Sequence, residues 1–385
     1  PDRYSTPTYN RYVTDSGMKN LRVTFILPDR NRSGGVRVTV EMANRLLDRG
    51  HRVRIACWQR DRKFITRVKL AGAKAYRRLR GLRDDDWLTS FLGETIHFGA
   101  LADLEFSCGE LVIAVGSQTV PFLREVNPDQ TCIRFNHGLH GFLSDRMQTA
   151  WSGTMPTLTV SASLIPRLRE YSADSPIWLV PNGIDPRDYF DTNQVRDRVG
   201  TIFSRNPAKN PDDILEVVRR LPRELPEAQR YVFGADRCPA ADLSPFYHQL
   251  PPLNVVRNLY SSSRVWLLMS QEEGLPGPVL EAMACGAVVI STDNTGSLEI
   301  VRDGENGLLF PIGDVDACLD LVKRVWNDHD LRERLVAEGY KTVQRFSWDR
   351  AVEAMENALS DIMNGNEHYA ASPSVHRERV AAQAP

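Results

Sequence analysis

Two series of alternating strand and helix patterns, separated by a proline-rich break, constrain the fold of this chain most. In the first series, the strand pattern of residues 21–27 leads through a glycine loop into a helix pattern from Val36, and another strand pattern follows at 52–58. Strand, helix and strand in this order predict a parallel sheet with right-handed crossovers. A second series begins near residue 199 and includes a short strand expected at 254–256. Two such series predict two doubly wound α/β domains, with ligands in the cleft at the carboxyl ends of the strands.

The break itself is PNGIDPRDYFDTN at 181–193, where two prolines and a glycine end all periodicity. Such a segment is typical of a domain boundary. The predicted division is a flexible lead (1–20), a first Rossmann-like domain (21–185), a second Rossmann-like domain (186–345), a closing helix (346–363) and a mobile polar tail (364–385).

Composition excludes several classes of protein. The chain has 48 Lys and Arg against 49 Asp and Glu, a net charge of −1, which argues against a general nucleic-acid binder. A hydrophobic content of 42% is too high for a disordered chain. The six cysteines are scattered without a CxxC pair, as in the reduced cores of cytosolic proteins. No secretory leader pattern and no run long enough to span a bilayer is visible, so we expect a cytoplasmic enzyme.

The stretch SQEEGLPGPVLEAMACG at 270–286 is the most informative for chemistry. A strand pattern runs into a Gly/Pro loop, and a helix starts near Pro278. Such a loop exposes unpaired backbone N–H groups and the positive end of the helix dipole, which suits a phosphate. Glu273 and Glu281 stand eight residues apart across it, so they could hold the two ends of a bound nucleotide. The same spacing also fits two solvated glutamates at an ordinary strand-to-helix turn.

Two glycine-rich loops follow predicted strands of the first domain. Gly34 and Gly35 precede the first helix, where the missing Cβ lets the backbone approach a diphosphate. The pair does not form a GxGxxG motif, so nicotinamide binding is not favoured. The second loop, FNHGLHG, carries His137 and His140 at a strand carboxyl end. His137 is well placed to face a cleft, whereas we interpret His140 as a packed or surface histidine.

The run from Glu273 to Glu281, with the following AMACGAVVIST and EIVRDGENGLLF, resembles the EX7E signature region of glycosyltransferase family 4. PNGID at 181–185 is similar to the segment before the interdomain hinge of that family. FSWDRAVEAMENAL at 346–359 is similar to its closing helix, which returns toward the N-terminal domain. The resemblance covers most of the chain and is most specific over 264–312. It implies the GT-B fold, with two Rossmann-like domains facing a central cleft, and sugar transfer with retention of anomeric configuration.

The resemblance also implies roles for individual residues. Glu281 would hydrogen-bond the donor ribose, and Glu273 would contact the transferred sugar. Arg205 and Lys209, in SRNPAKN, match the basic pair that neutralises the diphosphate as the sugar–phosphate bond breaks. His137 matches an active-site histidine near the reacting centre. The implied catalytic residues are Glu273, His137, Arg205 and Lys209, and the implied donor-binding residues are Gly34, Gly35, Arg205, Lys209, Gly274, Leu275, Gly277 and Glu281.

The chain departs from the family pattern in the phosphate loop. It has Glu-Gly-Leu-Pro where the family usually has Glu-Gly-Phe-Gly, and Pro276 removes one backbone N–H. Gly277 restores backbone access one residue later. The loop from Arg205 to Lys209 is about a residue shorter than usual, and its two charges also fit an ordinary exposed loop. Both departures bear on how the donor is held.

One feature stands apart from the resemblance. Residues 60–83 contain ten Lys or Arg and a single acid, Asp61. Their apolar residues follow a helical spacing, so the segment fits a basic amphipathic helix on an anionic membrane surface. A solvated helix, a disordered loop or a site for a polyanionic acceptor would have the same composition.

The leading hypothesis is a retaining hexosyltransferase that uses a nucleotide-diphosphate sugar. The acceptor is expected to be a hydroxyl of a saccharide or lipid-linked saccharide, in bacterial cell-surface polysaccharide or glycolipid biosynthesis, with no nucleic-acid partner. No Asp-x-Asp motif stands in a suitable loop, and we expect no cofactor and no metal. Two alternatives remain: a sugar-nucleotide epimerase or hydrolase, which needs no acceptor, and a non-catalytic donor-binding subunit, which only Pro276 favours.

Overall fold

A computed structural model describes residues 20–28, 33–58, 87–126, 129–138, 151–172 and 174–366. Four of the sequence predictions lie wholly or mostly outside the described residues: the lead at 1–20, the basic segment at 60–83, His140 and the tail at 364–385.

The first half of the chain forms a seven-stranded sheet. Its strands are β1 (Arg22–Leu27), β2 (Arg52–Trp58), β3 (Glu94–Phe98), β4 (Leu111–Val115), β5 (Thr131–Asn136), β6 (Thr157–Thr159) and β7 (Ile177–Leu179). They pair in parallel in the order β3-β2-β1-β4-β5-β6-β7. Every residue of β4 is buried, as expected for a central strand of a parallel sheet covered on both faces.

The first helix, α1 (Gly34–Asp48), ends before Gly50 as predicted. It begins two residues earlier than the pattern from Val36 indicates, so Gly34 and Gly35 form its first turn instead of preceding it. The Ser33 side chain caps it by accepting a hydrogen bond from the Val36 N–H. Apolar side chains on one face, including Leu46, are buried. Gly50 follows the helix with a φ of +92°, a conformation that glycine adopts at little cost. A shorter helix of this domain, α2 (Ile165–Tyr171), follows β6.

The second half of the chain forms a six-stranded parallel sheet. Its strands are β8 (Arg198–Ile202), β9 (Gln229–Gly234), β10 (Tyr247–Gln249), β11 (Ser263–Leu268), β12 (Val288–Thr292) and β13 (Leu308–Phe310), in the order β10-β9-β8-β11-β12-β13. The helices are α3 (Pro211–Glu224), α4 (Leu253–Ser262), α5 (Gly277–Ala284), α6 (Val315–Asn327), α7 (His329–Val343) and α8 (Trp348–Met363).

The strand expected at 254–256 is wrong, because these residues lie in α4. The β-branched pair in Asn-Val-Val favours a strand locally. The helix begins after Pro252 and buries Leu259 and Tyr260, so packing in the folded domain overrides the local preference. The strand β10, which sequence analysis did not predict, lies at the edge of this sheet.

The last helix, α8, packs against the first sheet rather than the second. Two segments of the chain pass between the domains, and they lie side by side. There the Ile184 N–H donates to the Phe346 carbonyl oxygen at 2.8 Å. Glu356 of α8 then pairs with Arg49 at 2.7 Å and with His51 at 2.9 Å. The N-terminal domain therefore includes a helix from the far end of the described chain.

Candidate functional site

The loops that follow the central strands of the two sheets meet across the cleft. In each sheet the strand order reverses between two neighbours, β1 with β4 and β8 with β11, and doubly wound folds bind ligands at such switch points. The loop after β1 leads to Gly34, and the loops after β8 and β11 carry Lys209 and Glu273. The domains touch directly, since a Cβ added to Gly274 would lie 2.1 Å from the His137 carbonyl oxygen.

Lys209 and Glu273 form an ion pair at the switch point of the second sheet. Lys209 Nζ lies 2.6 Å from Glu273 Oε1, and Ser270 Oγ donates to the same oxygen at 2.7 Å. The two loops are fastened together, because the Gln271 N–H donates to the Ala208 carbonyl oxygen at 2.9 Å. The structure thus brings together two residues that the sequence assigns to the site.

Arg205 lies at the start of the same loop and is exposed. Its backbone N–H donates to Asp236 Oδ2 at 2.8 Å. A single 3-10 turn follows, and Asn210 ends it in the left-handed region with a φ of 54°. Arg205 and Lys209 therefore share one short loop, and Lys209 is the member of this basic pair that forms an ion pair with Glu273.

Glu281 is held from both domains. Its Oε1 lies 2.6 Å from Arg37 Nη1 of α1, and its Oε2 accepts a hydrogen bond from Tyr260 Oη at 2.8 Å. Burial, and next the negative charge of Glu281, raise the pKa of Tyr260 well above its usual value, so the phenol remains a donor. The carboxylate is nine-tenths buried, and each of its oxygens contacts a donor from a different domain.

The start of α5 presents backbone N–H groups without a protein acceptor. The helix begins at Gly277, between Pro276 and Pro278, and neither proline has an N–H to offer. In the part of the chain that the structure describes, the N–H groups of Gly274, Leu275 and Gly277 meet no acceptor. The predicted loss of one donor at Pro276 is thus joined by a second at Pro278, and three donors remain near the helix N-terminus.

Gly296 and Asn182 contact the loop from Glu273 to Leu275 and fix its conformation. A Cβ on Gly296 would lie 2.7 Å from the carbonyl oxygens of Glu273 and Gly274, so glycine is required for this packing. Asn182, in the PNGID segment, donates from Nδ2 to the Leu275 carbonyl oxygen at 3.2 Å. The loop is therefore fixed from both the second domain and the hinge.

His137 lies directly under the start of α1. A Cβ on Gly35 would lie 3.6 Å from the His137 ring, while a Cβ on Gly34 would meet no atom of the described residues within 4 Å. The ring packs on Phe135 with a centroid distance of 4.1 Å. Burial lowers the pKa of His137 to about 3, which makes the imidazole neutral at ordinary pH. Its Nε2 is buried and has no hydrogen-bond partner within the described ranges.

Five residues of this arrangement were not predicted from the sequence: Arg37, Asn182, Tyr260, Ser270 and Gly296. Arg37 and Glu281 are 244 positions apart, so no local pattern links them. Asn182 did lie in a motif that the sequence analysis quoted, which was the available signal for it.

Among the described residues, no group of three or more His, Cys, Asp or Glu side chains is arranged to hold a metal ion. In the same part of the chain, none of the helices combines the length and apolar character that crossing a membrane requires.

The second domain matches a known family. Residues 198–342 match the model of the family described as Glycosyl transferases group 1. The lipopolysaccharide core biosynthesis glycosyltransferase LpsE of Rhizobium meliloti (strain 1021) is 36% identical over 97 residues, which make up 25% of this chain and 28% of LpsE. The chain spans less than a third of the length of LpsE and of two further curated relatives that it matches.

Solved structures resemble the chain over both domains. Sucrose-phosphate synthase from Thermosynechococcus elongatus has a TM-score of 0.67 and 16% identity, over 90% of this chain and 100% of that one. Anabaena Alr3699/HepE, crystallised in complex with UDP, has a TM-score of 0.65 and 14% identity, over 89% and 100%. At these identities the likeness concerns the fold.

Two facing doubly wound domains, with their switch-point loops in contact, define a protein of the GT-B class, so the predicted fold is confirmed. Within that class, the second domain carries the group 1 glycosyltransferase family model. The resemblance to a GT-B glycosyltransferase is therefore confirmed at the level of fold and family model.

Proposed function

We propose that the protein is a retaining glycosyltransferase of family 4. It moves a sugar from a nucleotide-diphosphate sugar to a hydroxyl of a saccharide or lipid-linked saccharide. The observation that carries the proposal is the convergence, at one switch point, of the Lys209–Glu273 pair, Glu281 and the N–H groups of the α5 loop that meet no acceptor among the described residues. The group 1 family match supports it, as do structural neighbours crystallised with UDP and with UDP-glucose.

The proposed chemistry assigns each group a task. Lys209, Arg205 and the loop amides bind the diphosphate, Glu281 accepts hydrogen bonds from the ribose, and Glu273 orients the sugar. The bond between the anomeric carbon and the phosphate oxygen breaks, and positive charge develops on the sugar. The acceptor hydroxyl attacks from the same face and gives its proton to the departing phosphate oxygen. Positioning and stabilisation of the phosphate charge supply most of the rate.

The neutral ring of His137 suits a position beside the anomeric carbon. A protonated imidazole would oppose the positive charge that develops on the sugar, whereas a neutral ring does not. Its buried Nε2 is available to a ligand hydroxyl once the cleft is filled. We therefore assign His137 to sugar binding rather than to proton transfer.

We further propose that transfer needs no metal, because Arg205 and Lys209 supply positive charge where a bound cation would otherwise be needed. Initial rates with and without excess EDTA test this point. Unchanged rates are expected, and a loss of activity that Mg²⁺ or Mn²⁺ restores would contradict it.

We propose a cytoplasmic enzyme of cell-surface polysaccharide or glycolipid assembly, which binds an anionic membrane through residues 60–83. The support is the charge of that segment, with ten basic residues and one acid, each basic residue contributing about 1 kcal/mol near an anionic surface. Flotation with liposomes of acidic and of neutral lipid is the test. Binding that ignores lipid charge would refute the membrane proposal.

The donor is identified by a thermal-shift screen with UDP-, GDP-, dTDP- and ADP-sugars, since a specific ligand stabilises the folded protein. Transfer to an acceptor panel then follows with the donor that raises the melting temperature most. Product formation that depends on the acceptor supports a glycosyltransferase. Donor consumption without any acceptor would indicate an epimerase or hydrolase instead, and tight binding without turnover a non-catalytic subunit.

A further inference from the structure

A cluster of five side chains, which we name the Arg37 cluster, joins the two domains at Glu281. Its members are Arg37, Trp87, Tyr189, Tyr260 and Glu281. Arg37 and Trp87 belong to the first domain, Tyr189 to the connecting segment, and Tyr260 and Glu281 to the second domain. The cluster therefore exists only while the two domains are closed on each other.

The guanidinium of Arg37 is fixed in direction as well as position. Its Cζ lies 5.1 Å from the ring centroid of Trp87 and 5.3 Å from that of Tyr189, distances at which a cation interacts with an aromatic face. Its Nη1 meets Glu281 Oε1 at 2.6 Å. A planar, stacked guanidinium loses little freedom on forming this contact, so it holds the carboxylate in one orientation.

The positive charge of Arg37 is needed to balance the buried carboxylate of Glu281. Glu281 is nine-tenths buried, and a buried carboxylate without a cationic partner is strongly disfavoured. Burial alone would lower the pKa of Arg37, but the charge of Glu281 raises it overall, so the guanidinium stays ionised. Without Arg37, the buried carboxylate would lack its cationic partner and would repel an anionic ligand nearby.

The carboxylate keeps free acceptor capacity in this arrangement. Each oxygen has about two lone-pair sites, and Arg37 and Tyr260 use one on each oxygen. Tyr189 also contacts this carboxylate, and we assign the lone-pair sites that these protein donors leave to the hydroxyls of the donor ribose.

We propose that Arg37 is a positioning residue that acts through Glu281 and makes recognition of the donor ribose depend on domain closure. This inference rests on the proposed function, because it takes Glu281 as the ribose acceptor. A merely structural pair would affect folding and leave the preference between ribose and deoxyribose unchanged.

The test measures binding by calorimetry for UDP, GDP and ADP, each beside its 2′-deoxy and 3′-deoxy counterpart. The wild-type protein is expected to prefer the ribonucleotide it binds best by about tenfold, the value of a hydrogen bond to a charged acceptor. Arg37→Gln should reduce this preference to less than about twofold, as should Glu281→Gln. The double variant should show no further loss, because the two residues act as a unit.

Arg302→Gln is the matched control, since Arg302 pairs with Glu305 on the exposed surface at 3.1 Å. It should keep the full preference. If Arg37→Gln does not fold, Arg37→Lys replaces it, because lysine keeps the charge but lacks the plane that Trp87 and Tyr189 hold. It too should lose most of the preference.

A tenfold preference retained by folded Arg37→Gln or Arg37→Lys would overturn the inference and leave the proposed function intact. A wild-type protein that binds nucleoside diphosphates without preferring ribose would also overturn it. Binding of dTDP, measured in the same way, without binding of UDP, GDP or ADP would likewise overturn the inference. Absence of binding by all four nucleoside diphosphates would instead refute the proposed function itself.

Discussion

Lys209 and Glu273 show how single residues prepare the cleft before a ligand arrives. Glu273 Oε1 accepts from Ser270 and pairs with Lys209, so the ammonium is kept at the switch point. In the proposed reaction the incoming diphosphate shares this ammonium, and Glu273 turns to the sugar. Without a ligand, Lys209 and Glu273 therefore pair with each other, whereas in the proposed reaction Lys209 binds the diphosphate and Glu273 binds the sugar.

Lys209→Ala and Glu273→Ala are each expected to lower kcat by about 100-fold or more, the usual loss when a charge-stabilising group of the transition state is removed. Circular dichroism and melting curves should remain close to those of the wild type. Lys341→Ala is the control, because Lys341 forms an exposed pair with Glu338 on α7. Wild-type turnover by either site variant would refute the assignment.

His137 should make the free energy of unfolding depend on pH. Its pKa is about 3 in the folded protein and about 6.5 in an unfolded chain. Between these values only the unfolded chain binds the proton, so the stability present above pH 6.5 is lost as the pH falls toward 3. The slope is at most about 1.4 kcal/mol per pH unit.

Urea unfolding of the wild type and of His137→Gln between pH 6.5 and 5 measures this effect. The free energy of unfolding should fall more steeply for the wild type than for the variant. Parallel curves would show that His137 is protonated in the folded protein.

Among the elements, the loop that leads into α5 depends on close contact between backbones. Gly274→Ala would place a Cβ 2.1 Å from the His137 carbonyl oxygen, so the two loops must separate. We expect at least a tenfold loss in kcat/KM and a loss of stability of about 1 to 3 kcal/mol. Gly99→Ala is the control, because the atom of the described residues nearest to its Cβ would be Asp103 Oδ2, at an ordinary contact distance of 3.8 Å. Unchanged kcat/KM in Gly274→Ala would mean that this contact is not needed for transfer.

Elements were predictable from the sequence where the signal is local. The βαβ order, the helix end at Gly50 and the Gly/Pro loop that leads from β11 into α5 all follow from short patterns and hold in the structure. The residues 254–256 were misassigned because the burial of Tyr260 is decided by the neighbouring strands. The pairing of Arg37 with Glu281 could not be predicted from the sequence, because it depends on how the two domains face each other.

At the scale of the whole molecule, the two domains are joined by contacts of α8 as well as by the loops that meet at the cleft. The Leu21 N–H donates to His51 Nδ1 at 3.3 Å, which leaves the proton on Nε2 to donate to Glu356 of α8 at 2.9 Å. Arg49 pairs with the other carboxylate oxygen. Helix α8, near the end of the described chain, is thereby bound to the segment around His51 in the first domain. This contact adds to the hydrogen bond between Ile184 and Phe346, where the two connecting segments of the chain pass between the domains.

Glu356→Ala should lower the free energy of unfolding by about 2 to 4 kcal/mol, because the buried His51 N–H loses its acceptor and Arg49 its counter-charge. Glu353→Ala, on the exposed side of the same helix, should change it by less than about 0.5 kcal/mol. Urea unfolding of both variants decides the matter. Equal effects would mean that α8 is not held by this carboxylate.

The central claim is that a nucleoside diphosphate binds between the loops of Lys209 and Glu273, under the N-terminus of α5. A crystal structure with the nucleotide that gives the largest thermal shift tests it most directly. We expect the diphosphate within hydrogen-bond distance of Lys209 Nζ and of the Gly277 N–H, and the ribose against Glu281. A nucleotide bound elsewhere, with these groups still paired as they are now, would contradict the account.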